Sequence, residues 1–174
     1  SLVGSEMCIR DRKLYIKQKV FSIGEKFTVV DEDQRLHYSV KGSFMKIPKT
    51  FSVENEQGKE VSRITKKTIS LLPKFFVEIN GKEAIEISKQ LSFFKAKYSI
   101  SAEDVTVDGN WWDMDFDVSR KGRKIAEINK RWISWGDTYE ITILDESLEE
   151  LIISLVIAID CVKEDEAAAS SASS

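Results

Sequence analysis

From Lys13 onward, apolar and polar residues alternate in short stretches, the two-residue period of strands that bury one face. Leu14 and Ile16 open the pattern, and Phe27 with Val29, Val61 with Ile64 and Ile69, and Ile85 with Ile87 continue it across charged or hydroxyl residues. The stretches recur at roughly 18 to 25 residues, which marks a repeated supersecondary unit. One half of the unit is a turn and strand: QGKEVSRITKK at 57–67, NGKEAIEISKQ at 80–90 and RKGRKIAEINK at 120–130. The other half is a short loop and return strand: FSIGEKFTV from Phe21, FMKIPKTFSV from Phe44, ISLLPKFFV from Ile69, LSFFKAKYSI from Leu91 and WISWGDTYEI from Trp132. Gly58, Gly81 and Gly122 sit at the reversals, and DEDQ at 31–34 serves as a reversal without glycine. Pro48 and Pro73 occupy equivalent loop positions before Lys49 and Lys74, where a missing N–H breaks no ladder. The count is about 12 short antiparallel strands, which points to a closed barrel or a sandwich.

The last apolar segment breaks the period. LEELIISLVIAIDCV has no turn residue, and its apolar positions 148, 151, 152, 153, 155, 156, 157 and 159 cover every face of a helix. Ser147 with Glu150 reads as a capping box, so the pattern predicts a helix over about 147–162. A helix apolar all round is best satisfied by threading the barrel. Its strongly apolar core, 151–159, spans about 14 Å at 1.5 Å per residue, against roughly 30 Å of bilayer hydrocarbon. Residues 1–12 show neither period and resemble translated adaptor or vector sequence; they are expected to lie outside the fold. Residues 163–174, ending AAASSASS, read as a low-complexity, disordered tail. One domain over 13–162 is the expectation.

Composition agrees with a single globular domain. The 174 residues are 42% hydrophobic and 32% charged, a mix that excludes a disordered chain, a collagen and a multi-span membrane protein. The net charge of −3 conceals a split: residues 13–98 carry 17 Lys and Arg against 10 Asp and Glu, a balance of +7, and residues 99–174 carry 7 against 17, a balance of −10. Cys8 and Cys161 are too far apart in character for a disulfide framework and fit a reducing cytoplasm, and the lone His37 completes no metal cluster.

The recurrent Ser-x-x-x-Lys-Phe/Tyr unit, GNWWDMDFDV at 109–118, GRKIAEINKRWISWGDTYEITI at 122–143 and the apolar terminal helix together resemble the LURP-one-related family over 13–162. In particular the chain is similar to bacterial phospholipid scramblase-like members of the Tubby-like superfamily. The resemblance implies a mainly β fold, an antiparallel barrel of 12 strands closed around a buried hydrophobic C-terminal helix, and a link to phosphoinositide headgroups or membranes. It implies no enzymatic chemistry.

The candidate ligand-binding residues are the loop lysines. Lys46 and Lys49, Lys66, Lys67 and Lys74, and Lys95 and Lys97 take corresponding places in successive repeats, interleaved with Phe44, Met45, Leu71, Leu72, Phe93 and Phe94. Gathered along one rim they suit an anionic phospholipid headgroup at a cytoplasmic, peripheral membrane surface. The ordinary alternative is a solvated edge that resists aggregation. Nucleic acid is excluded as a partner, since the acidic half lowers long-range attraction. The competing function class is a scaffold barrel whose acidic half or sheet edge docks a protein.

Other motifs carry less. On a strand, Trp112, Met114, Phe116 and Val118 would share one face and Asp113, Asp115 and Asp117 the other. Set against a calcium loop, the carboxylates fit the first three ligand positions, but Val118 stands at the glycine and Lys124 at the bidentate glutamate. The reading is therefore an exposed acidic face, paired with the following RKGRK. No nucleophile elbow, phosphate loop or metal motif is present, so no catalytic residue, metal or cofactor is expected. His37 reads as a surface or half-buried strand residue. Of the tryptophans, Trp132 and Trp135 are expected to be more exposed than Trp111 and Trp112.

Overall fold

The computed structural model describes residues 11–18, 25–43, 48–67, 72–90, 97–133 and 136–172. Among them, twelve antiparallel strands form one sheet: β1 (Arg12–Gln18), β2 (Glu25–Val30), β3 (Leu36–Gly42), β4 (Lys49–Asn55), β5 (Glu60–Lys67), β6 (Lys74–Ile79), β7 (Lys82–Gln90), β8 (Lys97–Ala102), β9 (Val105–Asn110), β10 (Asp115–Arg120), β11 (Arg123–Ile133) and β12 (Gly136–Ile143). A helix, α1 (Glu149–Ala172), follows. The sheet order is β8-β7-β6-β5-β4-β3-β2-β1-β12-β11-β10-β9. Pairing of β1 with β12 rolls the meander into a barrel that is closed except at one seam, between β8 and β9, where no ladder forms.

The alternation sets the register. Leu14 lies opposite Ile141, Phe51 opposite Ile64, Ile64 opposite Val77, and Val77 opposite Ile85, so each strand adds its apolar residues to one inner face. A slip of one residue would turn that whole row outward. The tight reversals behave as the sequence requires: Asn80 and Gly81 both take positive φ, +50° and +77°, the two-residue turn whose twist matches its strands. Pro48 and Pro73 immediately precede β4 and β6.

The helix fills the barrel. All residues from 152 to 162 are buried, with Ile152, Leu155, Val156 and Ile159 fully so, and they form one core with the inward rows of the strands. The Ser154 hydroxyl donates to that of Ser62 at 2.7 Å inside this core, so these two buried polar groups, one on the helix and one on the wall, satisfy each other.

Four expectations need correction. Residues 1–12 are expected outside the fold, yet Arg12 opens β1, lies opposite Ile143 and pairs with Glu149 at 2.8 Å. Ser147 does not cap the helix: it lies inside a 3-10 turn (Glu146–Leu148) that Asp145 caps, its side chain accepting from the backbone N–H of Ser147, and α1 starts after that turn, at Glu149. The helix also runs to Ala172, ten residues beyond its expected end. Alanine-rich sequence favours helix once a buried segment has nucleated it, a tertiary effect that low complexity alone does not reveal. Finally, WWDMDFDV is not one strand. Trp111–Asp113 is a 3-10 turn, Met114 takes a left-handed φ of +57° and is buried, and only from Asp115 does the strand run.

Candidate functional site

Antiparallel strands connected in chain order return alternate connections to the same end of a barrel. The last residues of β1, β3, β5 and β7 and the first of β2, β4, β6 and β8 therefore share one rim, and Lys49, Lys66, Lys67, Lys74 and Lys97 stand on those strand ends. Lys49 opens β4, Lys66 and Lys67 close β5, Lys74 opens β6 and Lys97 opens β8. Lys46, Lys95 and Trp135 lie outside the described residues, as do the side chains of Lys97 and Trp132.

Strand parity divides the rim into two sets. The inward rows Val53, Phe51, Lys49 of β4, Ile64, Lys66 of β5 and Ile85, Ile87, Lys89 of β7 are apolar through the core and end in a lysine at the mouth. Lys67 and Lys74 belong to the outward face. In the ladders Lys49 is directly opposite Lys66, and Lys67 directly opposite Lys74. Two like-charged pairs at adjoining ladders oppose sheet stability, each by roughly 0.2–1 kcal/mol relative to neutral residues.

Each of these cations has a nearby partner. Lys66 Nζ is 2.6 Å from Asp165 Oδ1 and Lys89 Nζ is 2.7 Å from Glu166 Oε2, both on the part of α1 that emerges from the mouth. Lys163, on the same turn, sits over the Tyr139 ring at 5.7 Å. On the outer face Lys74 Nζ is 2.9 Å from Glu86 Oε1 and holds that carboxyl below its usual range, and Lys67 lies 4.7 Å over Phe76. Lys49 lies 5.5 Å over Phe51. Lys89 escaped the sequence reading because it precedes its loop and stands outside the repeated Lys-Phe unit. The signal was nonetheless present, in its two-residue spacing from Ile87 and Ile85.

The opposite end has a structural task. Glu149 accepts from the Tyr38 hydroxyl at 2.8 Å and pairs with Arg12 at 2.8 Å, anchoring the helix start to β3 and β1; burial, with this carboxylate beside it, pushes the tyrosine well above its ordinary value. His37, half-buried as expected on β3, bridges two turns: Nε2 is 2.9 Å from Asp31 and Nδ1 is 2.7 Å from Glu56. The basic RKGRK hairpin is neutralised locally, Lys124 pairing with Asp117 at 2.8 Å and Arg123 with Asp145 at 2.8 Å. The pairing of the aspartate strand with this hairpin is thus present, through Asp117. Trp111 and Trp112 pack edge to face, 5.5 Å between centroids, partly buried against the core. Among the described residues no group of three or more His, Cys, Asp or Glu side chains could hold a metal ion, and no helix is long and apolar enough to cross a membrane.

Comparison with known proteins agrees with this architecture. A solved X-ray structure of a protein from Arabidopsis thaliana superposes with a TM-score of 0.55 at 13% identity, covering 88% of this chain and 92% of that one. At that identity the likeness shows the fold alone. The uncharacterized protein YxjI of Bacillus subtilis (strain 168) is 33% identical over 147 residues, 84% of this chain and 90% of that protein. The LURP-one-related family model matches residues 12–160, from the first residue of β1 to the buried part of α1, and the chain belongs to that family.

Proposed function

We propose that this barrel is a non-enzymatic module that binds anionic phospholipid headgroups at a membrane surface through its lysine rim. The observation that carries the reading is the pair of directly opposed lysines, Lys49 with Lys66 and Lys67 with Lys74, on adjoining ladders at one end. Phosphate oxygens placed between such pairs would relieve their repulsion, and each basic residue near an anionic surface contributes about 1 kcal/mol, falling with salt over a Debye length. Burial of residues 152–162 argues against scrambling by insertion of the helix. Withdrawing it would open the whole core, at a cost comparable to a domain's stability of about 5–15 kcal/mol.

The test is co-sedimentation with phosphatidylcholine vesicles, with and without 30 mol% phosphatidylserine (~30% is the assay composition), over a salt series. Binding should require phosphatidylserine and weaken with salt. Lys67→Gln with Lys74→Gln should weaken it by about fivefold for Lys67 and by less for Lys74, whose ammonium also serves Glu86. Binding that ignores phosphatidylserine, or that this double substitution leaves unchanged, removes the lipid reading and leaves the protein-docking scaffold as the function to pursue.

A further inference from the structure

The mouth lysines and the outward lysines differ in what holds them. Lys66 and Lys89 are each closed by a carboxylate of the emerging helix, Asp165 and Glu166, with both partners of each pair largely shielded. The three residues Lys163, Asp165 and Glu166 tether a single turn of α1 to three separate strands, β12, β5 and β7. Beyond them, residues 167–172 are exposed alanine and serine with no apolar face to bury. At 1.5 Å per residue these six extend the helix by about 9 Å past Glu166. A flat anionic surface brought to the mouth would therefore meet this extension and two occupied lysines.

Resting on the rim as an anionic-headgroup site, we infer that the acidic turn of α1 is a built-in competitor: Asp165 and Glu166 occupy Lys66 and Lys89 in the free protein, and headgroup phosphates displace them on binding. The chemistry of the two occupants is alike, an anionic oxygen accepting from the same ammonium group. The geometry separates this turn from the rest of the helix. Residues 152–162 are locked in the core, whereas the clasp follows it and can leave without opening the barrel. Ion pairs at partly exposed sites are individually weak, worth at most about a fivefold shift each, so the clasp is reversible rather than a permanent seal. The exposed alanine and serine residues add helical propensity but no burial that would hold the turn in place.

The test is a cycle on the full chain in the phosphatidylserine vesicle assay, with far-ultraviolet circular dichroism and urea midpoints confirming that each variant folds. Asp165→Asn with Glu166→Gln should tighten binding at low salt, by up to about fivefold for each of the two pairs. Lys66→Gln with Lys89→Gln should change binding of the otherwise unaltered chain by a few-fold at most, yet should cancel most of the gain when added to the Asp165/Glu166 variant. That non-additivity identifies the pairs themselves. If the two lysine substitutions cost the same in both backgrounds, the carboxylates act only through general repulsion and the clasp is wrong. If Asp165→Asn with Glu166→Gln binds like the unaltered chain while Lys67→Gln with Lys74→Gln still weakens both, the clasp is wrong and the lipid reading stands. If no variant binds phosphatidylserine vesicles, both fall together.

Discussion

A helix packed on one side of a sheet tolerates truncation on its outer face; a helix enclosed by a barrel does not. Ile153, Leu155 and Val156 point in different directions, since successive residues turn by about 100°, and all three are fully buried. Replacing each by alanine removes three, three and two carbons. At about 0.8 kcal/mol per buried methylene the transfer loss is roughly 2.4, 2.4 and 1.6 kcal/mol. The cavity left by incomplete collapse adds to this, so about 2.5–5 kcal/mol is expected for Ile153→Ala and Leu155→Ala and about 1.5–3 for Val156→Ala. Urea unfolding measures the difference, the midpoint falling while the slope stays constant. The three positions spread over about 160° of the helix, so on a one-sided helix with a buried stripe of about 100° at least one would cost under about 0.5 kcal/mol, the value for surface sites. Finding such a position would refute the enclosed core. It would also remove the argument that the helix cannot leave the barrel to enter a membrane.

Two further outcomes follow from local geometry. Gly109 has a φ of +120°, and a β-carbon there would stand 2.9 Å from the backbone oxygen of Asp115, so Gly109→Ala should destabilise by about 2–3 kcal/mol, read from the same urea curves; a neutral result would mean that the turn into Trp111–Asp113 is not fixed. The Asp31 carboxyl is held below its usual range chiefly by its hydrogen bond to His37, helped by the backbone N–H groups of Arg35 and Asp33. Because the folded value lies below the unfolded one, the unfolded chain binds more protons as pH falls beneath about 4, and this contribution is complete above that value and lost below it. Asp31→Asn should flatten the stability curve in that acid window and leave it unchanged in slope near neutrality; an unaltered acid limb would show that the bridge to His37 does not contribute.

Much of the fold was legible because its strands are half-buried. Alternation at Leu14 and Ile16 or Ile85 and Ile87 is the direct imprint of one wet and one dry face, and the glycines at 58, 81 and 122 mark reversals that left-handed backbone requires. The segment WWDMDFDV misled because alternation assumes a continuous strand. Met114 is buried by a left-handed kink, so the same apolar position is reached by a different backbone path. The length of α1 misled for the opposite reason, local composition being silent about the ion pairs that Asp165 and Glu166 find on β5 and β7. At the site, the repeat indicated which lysines stand beside loops, and parity could have added Lys89; which of them face the mouth required the register.

The amino-acid order alone determined the twelve-strand count, the all-round apolar helix and the imbalance of +7 against −10 between the two stretches of chain. Those are properties of period and composition, readable one segment at a time. The tertiary structure decided what the imbalance means. Alternating strand directions bring Lys49, Lys66, Lys67 and Lys74 of the first stretch to one rim, in two pairs that face each other across their ladders, with Lys89 at the same end, and the helix carries Asp165 and Glu166 of the second stretch through the barrel to meet Lys66 and Lys89. Charges some 80 to 100 positions apart along the chain become 2.6 and 2.7 Å neighbours because the helix threads the barrel, and sequence spacing contains no measure of that distance.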